Sequence, residues 1–216
     1  MTGSAERVTV SAPEALARLR TGNHRYVQNV RSVDSMISHS MRGEVQVQSP
    51  FAIVLGCSDS RAPAEIVFDQ GLGDLFVIRV AGNIVAPSQI GSVEFAAERF
   101  GTRLVVVLGH SRCGAVQATL EQLRRPWQEQ SRNLRSIVDR IRPAVETLLE
   151  GPHAEDPESL VREAVLANVH ASVEQLRHGS ELLERLIATD ELVIVGAKYS
   201  LATGVVNFFD GVPNGR

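Results

Sequence analysis

The chain has only two cysteines, Cys57 and Cys113, and each falls just beyond the end of an apolar run. Cys113 closes an H-x-x-C turn opened by His110. Thiolate and imidazole are donors that zinc prefers, and three such protein ligands leave a tetrahedral ion one open position, as catalytic sites require. A closed structural site would want a fourth Cys or His, and the sequence has no CxxC pair. Taken singly, each donor has an ordinary alternative, since a cysteine ending a buried strand is a small hydrophobe and a loop histidine a surface residue. It is the coincidence of both cysteines at strand ends of matching type that points to a cation.

Asp59 and Arg61 follow Cys57 closely and admit two readings. Asp59 or Ser60 could cap a helix whose first residue is Pro63. Alternatively, Arg61 forks onto Asp59 and the paired carboxylate faces the open metal position. Being an acceptor only, it would there select a ligand that donates a hydrogen bond, such as zinc-bound hydroxide.

The elements that must position these residues are legible as alternating patterns. Residues 51–55, 104–108 and 192–195 are apolar and rich in β-branched side chains, as buried strands are, and 75–80 is a fourth. Residues 87–100 place Ile90, Val93 and Ala97 on one helical face. Leu134, Ile137, Val138, Ile141, Val145 and Leu148 form the stripe of a long helix that Pro143 would bend. Helical patterns over 160–176 and 182–187 are separated by Gly179. A short helix over 13–20 closes at Thr21, Gly22 and Asn23. Residues 197–209 read as a hairpin turning at Thr203 and Gly204. The alternation predicts an α/β fold, with a central, mostly parallel β-sheet flanked by helices, an N-terminal helical arm and a C-terminal hairpin. In such sheets functional groups sit just beyond the carboxyl ends of strands, where both cysteines and His110 fall.

Composition excludes other classes. The chain has 216 residues with 22 Lys+Arg against 25 Asp+Glu, a formal charge of −3 and 5% aromatic content. That balance argues against a basic groove with stacking platforms for nucleic acid. The apolar runs are far short of the roughly 18 residues that a membrane-spanning helix needs. Residues 1–11 lack the basic and then apolar pattern of a secretory signal, so a cytoplasmic setting is expected. Two cysteines cannot build a secreted disulfide framework. The one lysine, Lys198, would be the sole candidate for a Schiff base.

Cys-Ser-Asp-Ser-Arg at 57–61 and His-Ser-Arg-Cys at 110–113 resemble the paired motifs of the β-class carbonic anhydrases. The resemblance extends over Gly22, Asn23, Arg25 and Tyr26, over Ala64 and Glu65, over 73–77, and over Arg79, Gly82 and Asn83. It continues through 91–94 and 195–209, and so describes a single zinc-dependent domain over 1–216 with 1–45 as its helical arm. It implies one zinc ion per chain on Cys57, His110 and Cys113, with Asp59 and Arg61 as catalytic dyad. It further implies reversible hydration of carbon dioxide to bicarbonate and a proton. Gln48, nine residues before Cys57, matches the plant-like subgroup, and Val54 stands where the other subgroup carries tryptophan. Phe76, Ala81, Gly82 and Gly114 fall on the family's substrate pocket, and Phe95 takes the place of a tyrosine usual in plant-like enzymes. Gln48, Phe76 and Phe95 would reach into the partner subunit's site, so a homodimer or dimer-based tetramer is expected, with no nucleic-acid or membrane partner.

Two alternatives keep the same elements. Hydrolysis of CS2 or COS, which some relatives perform, would use the same zinc platform. The Gly109-to-Cys113 turn is one residue away from the G-x-S-x-G nucleophile elbow, with Ser111 as nucleophile. Cys113 replaces the final glycine of that motif, and 57–61 would then go unexplained.

Overall fold

The computed structural model describes residues 9–32, 48–125 and 131–213. Its elements in chain order are α1 (Ala12–Val27), β1 (Ala52–Gly56), α2 (Ala64–Val67), β2 (Leu75–Arg79), a 3₁₀ turn (Ala81–Asn83) and α3 (Pro87–Phe100). Then follow β3 (Leu104–His110), α4 (Gly114–Arg124), α5 (Arg132–Val145) and a second 3₁₀ turn (Glu146–Glu150). The chain ends with α6 (Pro157–His178), α7 (Glu181–Ala188), β4 (Val193–Tyr199) and β5 (Val206–Asp210).

The five strands form one sheet in the order β2-β1-β3-β4-β5, parallel except for the last pairing. β1 and β3 are buried along their whole length, as expected of central strands covered on both faces. The two-residue alternation of strands assigns each side chain to a layer. Val54, Val106 and Val195 meet Leu16, Leu19 and Phe68 on the side of α1 and α2. Ile53, Leu55, Val105 and Ile194 meet Val93, Val169, Val173 and Leu183 of α3, α6 and α7 on the other. A third apolar cluster joins Cys57 and Cys113 to Val116, Ile141, Leu160 and Val165, so it packs at the carboxyl end of the strands.

α1 does not stop at Gly22 but runs on to Val27. A Cβ on Gly22 would stand 1.8 Å from the carbonyl oxygen of Phe68, so this glycine permits close approach rather than terminating the helix. The neighbouring Asn23 uses that proximity. Its Nδ2 donates to the carbonyls of Val67 and Gly204 at 3.1 and 2.8 Å, and its Oδ1 accepts from the Val206 N–H at 2.9 Å. Gly22→Ala is therefore expected to cost about 3 kcal/mol or more, because the clash is with backbone that cannot repack. Urea unfolding measures it, and an unchanged midpoint would refute the contact.

The stripe predicted from Leu134 to Leu148 is split. Leu134 is 55% exposed, Val138, Ile141 and Val145 are buried, and a 3₁₀ turn takes over after Val145, two residues past Pro143. The hairpin turns where expected, with Gly204 at φ +76°. Among the described residues no helix is long and apolar enough to cross a membrane.

Candidate metal centre

β1 and β3 pair in parallel with Gly56 opposite Leu108, so the residues that follow them emerge side by side. Cys57 comes directly after β1, His110 ends β3, and Cys113 is the cap residue of α4. All three are buried, and their donor atoms lie within 4.8 Å of one another. The two sulfurs are 4.0 Å apart, far beyond the roughly 2.05 Å of a disulfide. Two thiolates on one tetrahedral zinc, each at about 2.3 Å, would stand about 3.8 Å apart.

The imidazole is set for the same purpose. His110 Nδ1 lies 3.0 Å from the Ser111 carbonyl and donates to it, so in the neutral imidazole the lone pair is on Nε2. That Nε2 is buried and has no hydrogen-bond partner. Buried polar atoms are rarely left unmatched, and a histidine that donates its other N–H to a carbonyl is the usual posture of a metal ligand. The donor set fits zinc.

The thiols point the same way. Cys113 hydrogen-bonds to Cys57 and draws the Cys57 thiol down to about 4 against the cost of burial, with His110 and the Gly82 and Asp59 backbone assisting. The same hydrogen bond, together with burial, pushes Cys113 far up. Ionising one sulfur thus opposes ionising the other, and a divalent ion would remove that conflict by accommodating both thiolates. The Gly82 N–H donates to Cys57 Sγ at 3.3 Å. Gly82 sits at φ +72°, and a Cβ there would meet Ile141 Cδ1 at 2.8 Å, so only glycine fits this position.

Asp59 is not a helix cap. α2 begins at Ala64 after Pro63 and has no side-chain cap. Instead Arg61 Nε donates to Asp59 Oδ1 at 2.9 Å, its terminal nitrogen to Oδ2 at 2.7 Å, and its backbone N–H to Oδ1 at 2.9 Å. These bonds from Arg61 hold the Asp59 carboxyl well below the usual carboxylate range. Asp59 Oδ2 stands 3.8 Å from the partnerless His110 Nε2, so the carboxylate borders the donor cluster.

Arg79 has a place that residue type did not reveal. Its guanidinium donates to the carbonyl of Cys57 at 3.0 Å and to that of Asp59 at 2.6 Å, which ties together the loop carrying one donor and the carboxylate. The signal available in sequence was a charged residue ending an otherwise apolar strand, and the register sets it opposite Gly56.

The remaining candidates divide. Ala81 and Gly82 form the 3₁₀ turn beside Cys57, and Gly114 opens α4, with free space where its Cβ would be. Gln48, Phe76 and Phe95 do not gather there within one chain. Gln48 is exposed ahead of the amino end of β1, and Phe76 pairs with Ile53 well before the strand reaches Cys57. Phe95 is 53% exposed on α3 and clusters with Phe76 and Phe100 at ring separations of 5.7–6.2 Å. The Ser111 hydroxyl accepts the Leu201 N–H, and among the described residues no histidine bonds to that hydroxyl, so the nucleophile-elbow reading finds no support.

The family model described as "Carbonic anhydrase" matches residues 52–206. The carbonic anhydrase of Mycolicibacterium smegmatis is 40% identical over 188 residues, covering 87% of this chain and 88% of that protein. The solved β-carbonic anhydrase CcaA superposes with a TM-score of 0.72 at 24% identity, covering 93% of each chain. One of two tetrameric β-carbonic anhydrases from Sordaria macrospora superposes with a TM-score of 0.70 at 22% identity, over 81% of this chain and 89% of that one. The two superpositions show a shared fold.

Proposed function

This chain belongs to the β-class carbonic anhydrase family, and on that premise we propose that it reversibly hydrates carbon dioxide to bicarbonate and a proton. The observation that carries the reading is the buried His110 Nε2, without a partner and within reach of two thiols. Cys57, His110 and Cys113 would hold one zinc ion. When bound, it would supply the Lewis acidity that makes water nucleophilic near neutral pH.

Asp59, kept ionised by Arg61, only accepts hydrogen bonds. It would accept a hydrogen bond from the attacking oxygen and so aim that oxygen's lone pair at the carbon of CO2. Arg61 acts through Asp59 by fixing its orientation, and Arg79 keeps the backbone of both Cys57 and Asp59 in place. Ala81, Gly82 and Gly114 would wall the small space for CO2. Gln48, Phe76 and Phe95 would complete it from a second copy, which agrees with the exposed Phe95 packed against the half-buried Phe76 of edge strand β2 and the half-buried Phe100. The unit would be a homodimer or a tetramer built from dimers. A cytoplasmic setting suits two unpaired thiols.

Assaying one zinc-loaded preparation for CO2 hydration beside CS2 and COS consumption tests the substrate. We expect rapid CO2 hydration and no loss of the sulfur substrates above background. Fully metallated protein that consumes CS2 and leaves CO2 hydration at the buffer rate would overturn the reading.

A further inference from the structure

A cavity of about 740 Å³ opens between α4, α6 and the carboxyl end of β4, against Ser111 and Arg112 of the turn that carries His110 and Cys113. Its size is that of a small-molecule site. The one lysine of the chain, Lys198, lines it. Lys198 follows Ile194 and Gly196 in the strand's alternation, and a Cβ on Gly196 would meet Val169 and Val173 of α6. The lysine thus extends on the α6 side of the sheet, half-buried, where the pattern calls for an apolar residue.

Hydrogen-bond accounting gives the cavity its chemistry. Among the described residues nothing accepts from the Lys198 ammonium. The hydroxyl oxygens of Ser111 and Ser200 already accept, from the N–H groups of Leu201 and Thr203, so their own hydrogens remain to be given. Three donors without acceptors therefore line one space. Arg112 at the same wall is held only loosely, 3.8 Å from Glu158. Arg124 and Arg162 are engaged elsewhere, on the Ala154 carbonyl and the Ser159 hydroxyl. Glu121 and Glu158 on the lining penalise a ligand with two negative charges. Leu120, Val161 and Val165 provide apolar wall that a bare inorganic anion would leave uncovered.

We propose that this cavity is a second ligand site, one that takes a small organic monocarboxylate with a short apolar body, its carboxylate held by Lys198, Ser111 and Ser200. Ser111 and Arg112 are the two residues between His110 and Cys113, so an occupant bears on the turn that presents two of the three metal donors. The assignment does not depend on the reaction proposed above, and its test reads binding alone.

Because the chain has one lysine, isotope-labelled lysine puts a single side-chain reporter in the full-length protein. Hexanoate should shift its NMR signal saturably, and inorganic phosphate at equal ionic strength should not. By calorimetry Lys198→Gln should bind hexanoate about tenfold more weakly, and Lys198→Arg should retain most of the affinity. A lysine signal that hexanoate leaves in place would overturn the site without recourse to any variant. Equal affinity of Lys198→Gln and wild type would mean that the carboxylate binds elsewhere, and equal response to phosphate would refute the organic ligand.

Discussion

Cys57→Ser should be isolated with little zinc and should hydrate CO2 roughly 10³-fold or more slowly than wild type. The change removes one atom's identity and almost no volume, and the site is buried, so packing among Ile84, Val116 and Ile141 is retained. What is lost is a thiolate. Cys57 is the sulfur that this environment ionises most easily, through the hydrogen bond from Cys113, the His110 imidazole and the Gly82 and Asp59 backbone. A serine hydroxyl at the same place stays neutral and is a poor zinc ligand. The Gly82 N–H that served the sulfur would then face a weaker acceptor. Metal content per chain, circular dichroism and stopped-flow hydration on the same preparation separate the outcomes. A folded variant with full zinc and an unchanged rate would sink the metal centre.

The site could be read from sequence because of sheet topology. In a parallel sheet every strand delivers its next residue to the same edge, so two apolar runs followed by cysteine and by histidine announce a meeting point 53 residues apart in the chain, from Cys57 to His110. The strands were equally plain, since burial on both faces leaves an unbroken apolar run. What stayed hidden shares one property, which is that it depends on backbone. Arg79 acts by donating to two carbonyls, and Gly82 by offering an N–H to sulfur, and backbone partners leave no mark on residue type. Gly22 shows the same blindness. A helix stop and a close approach both ask for glycine, and only the distance to Phe68 distinguishes them. Lys198 was legible as unusual by count alone, because the neighbours that leave its ammonium without an acceptor come from α4, α6 and the β4–β5 turn. Gln48, Phe76 and Phe95 were noticed only through resemblance, since one chain does not bring them to the donors they would serve.

Asp59→Asn should separate orientation from metal binding. It should retain wild-type zinc and lose roughly 10²- to 10³-fold in turnover. The carboxylate is no member of the donor cluster, which Cys57, His110 and Cys113 complete by themselves. Its two oxygens accept three bonds from Arg61, and that fork fixes the orientation of the group 3.8 Å from His110 Nε2. An asparagine of the same shape keeps one oxygen and replaces the other by an NH2 group. If the NH2 turns toward Arg61, two donors face each other and the fork opens. If it turns toward the donor cluster, the arriving oxygen meets a donor where an acceptor had selected it. Either orientation spoils the selection, and neither touches sulfur or imidazole. The fold should survive, because Arg79 grips the backbone there, not the side chain, and asparagine keeps the shape of the carboxylate it replaces. Zinc loss equal to that of Cys57→Ser would move Asp59 into the ligand set, and full activity would deny it any part in the reaction.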